Sequence, residues 1–163
     1  MDTKIESKKN VRKQDGFTLI EILVVIGLIA LLAAIVIIAI NPARQFAQGR
    51  DSQRESNVNS IINAIGQRLA DGKGTFDGTF TAGGASYTCP DLPAASTTVD
   101  IVYSGSASGT INLSCLVPTY ISKELSDPKP GTSTGGYELV VDNAGRVTVK
   151  APSAETRTIE ITR

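Results

Sequence analysis

The stretch that decides the architecture is FTLIEILVVIGLIALLAAIVIIAI, Phe17 to Ile40, 24 residues in which Glu21 is the only charge and Thr18 the only other polar side chain. Wound as an α-helix at about 1.5 Å per residue it measures roughly 36 Å, more than the roughly 30 Å of a bilayer's hydrocarbon core. It reads as a transmembrane helix. Its flanks set a direction. Residues 1–16 carry Lys4, Lys8, Lys9, Arg12 and Lys13, whereas the twenty residues after the apolar run carry only Arg44, Arg50 and Arg54. The side richer in Lys and Arg stays in the cytoplasm, so the remainder of the chain is expected beyond the cytoplasmic membrane.

Around this segment the composition is restrictive. The chain has 163 residues, with 16 Lys+Arg against 16 Asp+Glu, no His, no Trp and two Cys. That length holds one domain of ordinary size with an appendage. A balanced charge gives no basic face for nucleic acid. Without His the commonest general base near neutral pH and the commonest zinc ligand are both missing, and two Cys cannot fill a structural zinc site. A metal hydrolase and a histidine-based triad are thereby excluded, and no constellation of acid, base and nucleophile suggests an enzyme.

A secretory signal peptide also begins with a basic segment, but its apolar core is about 7 to 15 residues and a small-x-small cleavage site follows. Here the run is longer and no Ala-x-Ala follows it. The junction before the run is more informative. KKNVRKQDG followed by FTLIE resembles the leader of type IV prepilins: basic residues, a Gly, then a Phe, a Glu as fifth residue of the mature chain, and an unbroken apolar stretch behind it. Asp15 departs from the pattern, since a basic or amide residue is more usual beside the Gly. The resemblance implies cleavage between Gly16 and Phe17 by a membrane-bound prepilin peptidase, N-methylation of Phe17, and assembly with other pilin subunits at a pilus assembly platform. Gly16 has no side chain to obstruct an extended scissile bond. The resemblance also gives Glu21 a role. A carboxylate in the first turn is favoured by the helix dipole. In a bundle of such helices an unpaired one costs several kcal/mol, so pairing with a neighbour's Phe17 amine would fix the stagger between subunits.

Asn41-Pro42 ends the apolar run, and a kink is expected there because proline removes a backbone donor. Beyond it Val58, Ile61, Ile62, Ile65 and Leu69 line one helical face, while Arg50, Asp51, Arg54, Glu55, Asn59 and Asn63 occupy the rest and read as a solvated surface. The helix thus turns from all-round apolar to amphipathic, and Asp71-Gly72-Lys73-Gly74 stops it with a left-handed glycine cap. NPARQFAQGRDSQRESNVNSIINAI also resembles the juxtamembrane stretch of a group of bacterial pilin-like proteins.

From residue 72 to Gly136 the chain is rich in Gly, Ser, Thr and Pro. VDIVY (Val99 to Tyr103) and TINL (Thr110 to Leu113), joined by SGSASG, read as a hairpin. YELVV from Tyr137 and RVTVK from Arg146 flank the turn Asp142-Asn143-Ala144-Gly145, and TRTIEIT from Thr156 suggests a third strand. The fold class expected is α+β, a long N-terminal helix packed on a small antiparallel sheet. Its segments are a leader at 1–16, a transmembrane helix at 17–40, an amphipathic continuation at 41–71 and a globular head at 72–163.

Cys89 and Cys115 fall in the part assigned to an oxidising compartment, where a disulfide is expected to contribute about 3 to 4 kcal/mol. LSDPKPGTSTGGY, Leu125 to Tyr137, resembles the calcium-binding loop of major pseudopilins of type II secretion, which makes Asp127 and Asp142 weak calcium candidates; calcium needs six to eight oxygens, and these two supply few. No other cofactor is indicated. The sequence therefore points to a pilus-like filament subunit, with a type II secretion pseudopilin, or a membrane-anchored extracytoplasmic enzyme or binding protein, as alternatives.

Overall fold

The computed structural model describes residues 16–129 and 135–163, so the leader up to Asp15 and residues 130–134 of the calcium-like loop lie outside the described residues. The chain divides into two compact units, one ending at Asn41 and one beginning at Pro42.

The first unit is helix α1, Leu19–Ala39. Seventeen large apolar side chains between Phe17 and Ile40 are each 48% or more exposed, and they point to every side of the helix. At about 1.5 to 3 kcal/mol for each side chain fully buried, such a surface in water would cost tens of kcal/mol. Leu19–Ile38 is long and apolar enough to cross a membrane, and an apolar surrounding is what this surface requires.

The expected kink at Asn41-Pro42 is instead a break between two helices. The Ile40 N–H still donates to the Val36 carbonyl, and α2 (Pro42–Asp71) starts afresh with Pro42 as its first residue. Proline suits that position because the N–H it lacks would have had no partner there.

The second unit places α2 against a five-stranded sheet. Val58, Ile61, Ile62 and Ile65 are 0 to 2% exposed and Leu69 is half-buried, which is the face that the periodicity predicts. Opposite them lie Ile101, Leu139 and Val149, all fully buried. In chain order the strands are β1 (Gly78–Ala82), β2 (Ala85–Cys89), β3 (Thr98–Val102), β4 (Thr110–Asn112), β5 (Glu138–Val141), β6 (Val147–Lys150) and β7 (Glu160–Thr162). The main sheet has the order β4-β3-β5-β6-β7, while β1 and β2 form a separate hairpin. The β5–β6 turn and the third strand after it form as expected, although β7 begins only at Glu160.

Three details depart from the sequence reading. β3 and β4 pair in parallel, with Asp100 opposite Thr110 and Val102 opposite Asn112, so they are no hairpin. Parallel strands usually need a long crossover, but a three-residue overlap requires a return of only about 7 Å, which the Gly/Ser-rich loop between them can span. That loop is closed by Thr110, whose Oγ1 both accepts from the Ala107 N–H and donates to the Ala107 carbonyl, and by Asn112, whose amide donates to the Gly105 carbonyl. Second, β1 and β2 come from a stretch read as loop, although TFTA-GG-ASYT carries the alternation and Gly-Gly turn of a hairpin. Third, the α2 stop has its expected left-handed glycine in Gly74 (φ 99°), but it takes Lys73 (φ 54°), a residue with a side chain, into that region as well. Gly72 serves a close approach instead: a Cβ there would lie 2.1 Å from the Thr75 carbonyl oxygen.

Candidate functional site

At the start of α1, Thr18 is the N-cap, and with Glu21 it forms a capping box. The Glu21 N–H donates to Thr18 Oγ1 at 3.3 Å, while the Thr18 N–H and hydroxyl both donate to Glu21 Oε2 at 2.8 Å. The T-x-x-E spacing from Thr18 to Glu21 is the sequence signature of this motif, and it identifies Thr18 as a residue that the sequence reading passed over. Glu21 is thus folded back onto the residue after Phe17, with its carboxylate at the helix N-terminus. A Cβ built on Gly16 meets nothing within 4 Å, so the chain's own packing does not demand glycine at the predicted cut site.

In the head the main electrostatic feature is one that the sequence reading assigned to solvent. Arg54 and Asp51 are 0% and 1% exposed, and Asn57 is also buried. Arg54 donates through Nε and Nη2 to both oxygens of Asp127 at 2.7 and 2.9 Å, and through Nη1 to Asp51 at 2.8 Å and Glu155 at 3.2 Å. Asp51 in turn accepts the Thr156 hydroxyl and N–H, both at 2.6 Å, and the Glu155 N–H at 3.0 Å. Arg50 closes the outer edge with two bonds to Glu155, at 2.7 and 2.6 Å. Beside the cluster the Asn57 amide donates to the Tyr137 hydroxyl at 2.7 Å. One turn of α2 therefore holds two separate loops, around Asp127 and around Glu155–Thr156.

The titration of these groups follows from the contacts. Its bonds to Asp127 hold the Arg54 guanidinium above its usual range despite burial, with Asp51 and Glu155 adding to the effect. Burial alone would raise Asp51, but bonds from Thr156, from the Glu155 N–H and from Arg54 outweigh it and hold the carboxyl well below the usual range. Asp127 behaves likewise: burial opposes, and Arg54 and the Lys129 N–H prevail. Glu155 is drawn down to about 2, chiefly by Arg50.

Both calcium candidates are engaged within the fold. Both Asp127 oxygens face Arg54, and Oδ1 also accepts the Lys129 N–H. Asp142 accepts the Ala144 and Arg146 N–H groups and the Arg146 side chain within its own turn. A calcium ion would have to displace a guanidinium at the first and dismantle a turn at the second. As folded, neither carboxylate suits the metal, and no group of three or more metal-ligating side chains is assembled among the described residues.

Cys89, at the end of β2, and Cys115, in a short 3₁₀ turn (Ser114–Leu116), are joined by a disulfide with Cα atoms 5.3 Å apart. Both are 3% exposed. The bridge ties the isolated β1–β2 hairpin to the core. Phe80 and Tyr87 of that hairpin stack at 5.5 Å, Tyr120 lies 5.7 Å from Phe80, and the Arg68 guanidinium is 4.7 Å from the Phe80 ring centre.

Residues 11–40 match the family model described as the prokaryotic N-terminal methylation motif. No curated protein and no solved structure matches the chain. The motif covers the predicted cut site, Glu21 and the whole of α1, and the apolar helix it describes anchors the chain in a membrane. The match spans 30 of the 163 residues, and it supports a type IV prepilin-like protein.

Proposed function

We propose that the chain is a structural subunit of a type IV pilus-like filament, and not an enzyme. It enters the cytoplasmic membrane with its N-terminus in the cytoplasm, loses residues 1–16 to a prepilin peptidase and joins copies of itself through α1. One observation carries the reading: an N-terminal methylation motif lies over a helix whose apolar side chains are exposed all round. Such a helix is at home in lipid, and equally in a bundle of its own copies. Passage from one to the other changes little in apolar contact, so polar groups are left to set the register.

Glu21 is that group. In the separate subunit its carboxylate is satisfied by two donors from Thr18, which lowers the cost of holding it near the membrane surface. Cleavage after Gly16 creates an amine on the residue next to Thr18. In a filament, the amine of a neighbouring subunit can take over the carboxylate and fix the axial step. Glu21→Ala tests this. Membrane insertion and processing should be unchanged, because cut site and apolar length are intact, while filament recovery from cells expressing only the variant should fall. Assembly at the parental level would refute the register role.

A further inference from the structure

A cleft of about 350 Å³ lies between α2 and the segment that follows the 3₁₀ turn. Asn63 and Gln67 of α2 line one wall, and Tyr120, Ser122 and Lys123 the other, above a floor that includes buried Ile121. Its size is at the lower end for small-ligand sites and suits a single sugar ring. No carboxylate lines it. From these walls and this floor we propose that the cleft binds one acidic sugar residue, of the hexuronate class.

The walls are held in place before any ligand arrives. The Tyr120 and Ile121 N–H groups both donate to the Leu116 carbonyl, at 2.8 and 3.0 Å, and Leu116 follows the disulfide-bonded Cys115 directly. The Tyr120 hydroxyl donates to Asp71 at 2.9 Å while its ring rests against Phe80, so the aromatic wall is fixed at both ends. On the other side the Asn63 carbonyl oxygen accepts from Arg163, which leaves the amide nitrogen as its donor. Among the described residues no hydrogen bond or ion pair engages the Gln67 amide or the Lys123 ammonium. Two amides and the Ser122 hydroxyl lining one small cleft suit the hydroxyls of a sugar ring, and an aromatic wall with an apolar floor suits its C–H surface. Lys123 is the one charged group among the lining residues, and its ammonium selects a carboxylate on that ring. Held walls keep the ordering cost of binding small. This inference concerns the head alone and does not depend on how the filament is used.

The test is saturation-transfer NMR on the full chain in lipid nanodiscs, with glucuronate, glucose and acetate as probes. Glucuronate should receive saturation at its ring protons, glucose more weakly, and acetate should compete poorly because it lacks the ring. Lys123→Gln should weaken glucuronate by about fivefold, the effect of one exposed charge pair, and leave glucose unchanged. Gln67→Ala should weaken both sugars. Both side chains are exposed, and circular dichroism would verify that the head is folded. Absence of transfer to glucuronate, competition by acetate as effective as by glucuronate, or a Lys123→Gln variant that binds glucuronate like the parent would each overturn the proposal.

Discussion

Replacing Arg54 by Met removes the one cation shared by Asp51, Asp127 and Glu155 while keeping most of the side chain's length and volume. The three carboxylates are not affected equally. Asp51 keeps the Thr156 hydroxyl and two backbone N–H groups, and Glu155 keeps Arg50 and a side chain one quarter exposed. Asp127 is left fully buried, and among the described residues it keeps the Lys129 N–H alone. Removing one member of a buried pair costs about 3 to 5 kcal/mol, because the remaining charge is left in a low-dielectric site. For a head of this size that corresponds to a fall in Tm of about 10 to 20 °C. Thermal unfolding of the full chain in micelles, followed by near-UV circular dichroism of the tyrosines, would measure it. The pH dependence is more diagnostic. In the parent, Asp51 and Asp127 are lowered, so their stabilisation is complete above about pH 4 to 5 and is lost as pH falls through the folded-state values. In Arg54→Met the orphaned Asp127 is raised, so protonation relieves it and the variant gains stability as pH falls. The gap between the two proteins should therefore narrow from pH 7 to pH 4. Adding Asp127→Leu to Arg54→Met should recover much of the loss. A gap under about 1 kcal/mol at pH 7, or one that widens with acid, would refute the account of Arg54 as a buried clamp.

Two other outcomes are expected. Gly16→Val should block removal of the leader when the chain is co-expressed with a prepilin peptidase; mass measurement of the parent should show a chain starting at Phe17, with 11 Lys+Arg and 13 Asp+Glu after loss of five cations and three anions. A mature N-terminus near Ala43 would instead mark a secreted protein. Replacing both Cys89 and Cys115 by Ser should lower head stability by about 3 to 4 kcal/mol on loop-closure grounds, and leave processing unchanged. Unaltered unfolding of the double variant would show that the hairpin is held by its aromatic contacts alone.

The sequence by itself determined α1 and the apolar face of α2. Both rest on local physics: a run of apolar residues long enough for a bilayer, and a 3.6-residue period that survives any tertiary arrangement. The β5–β6 hairpin was legible for the same reason, since its turn residues and alternating strands are neighbours in the chain. Even Thr18 could have been found from its spacing to Glu21, as could the β1–β2 hairpin from its Gly-Gly turn. Only the tertiary structure decided the rest. Asp51 and Arg54 look like any i, i+3 charged pair on a solvated helix, because the groups that bury them, Asp127 and Glu155, come from loops 73 and 101 residues away from Arg54. β4 takes the edge of β3 that β5 leaves open and pairs there in parallel, a direction that the two strand sequences do not carry. The calcium candidates were legible as carboxylates but not as carboxylates already matched to arginines. Burial and charge partnership are set by long-range contacts, and sequence spacing carries no record of them.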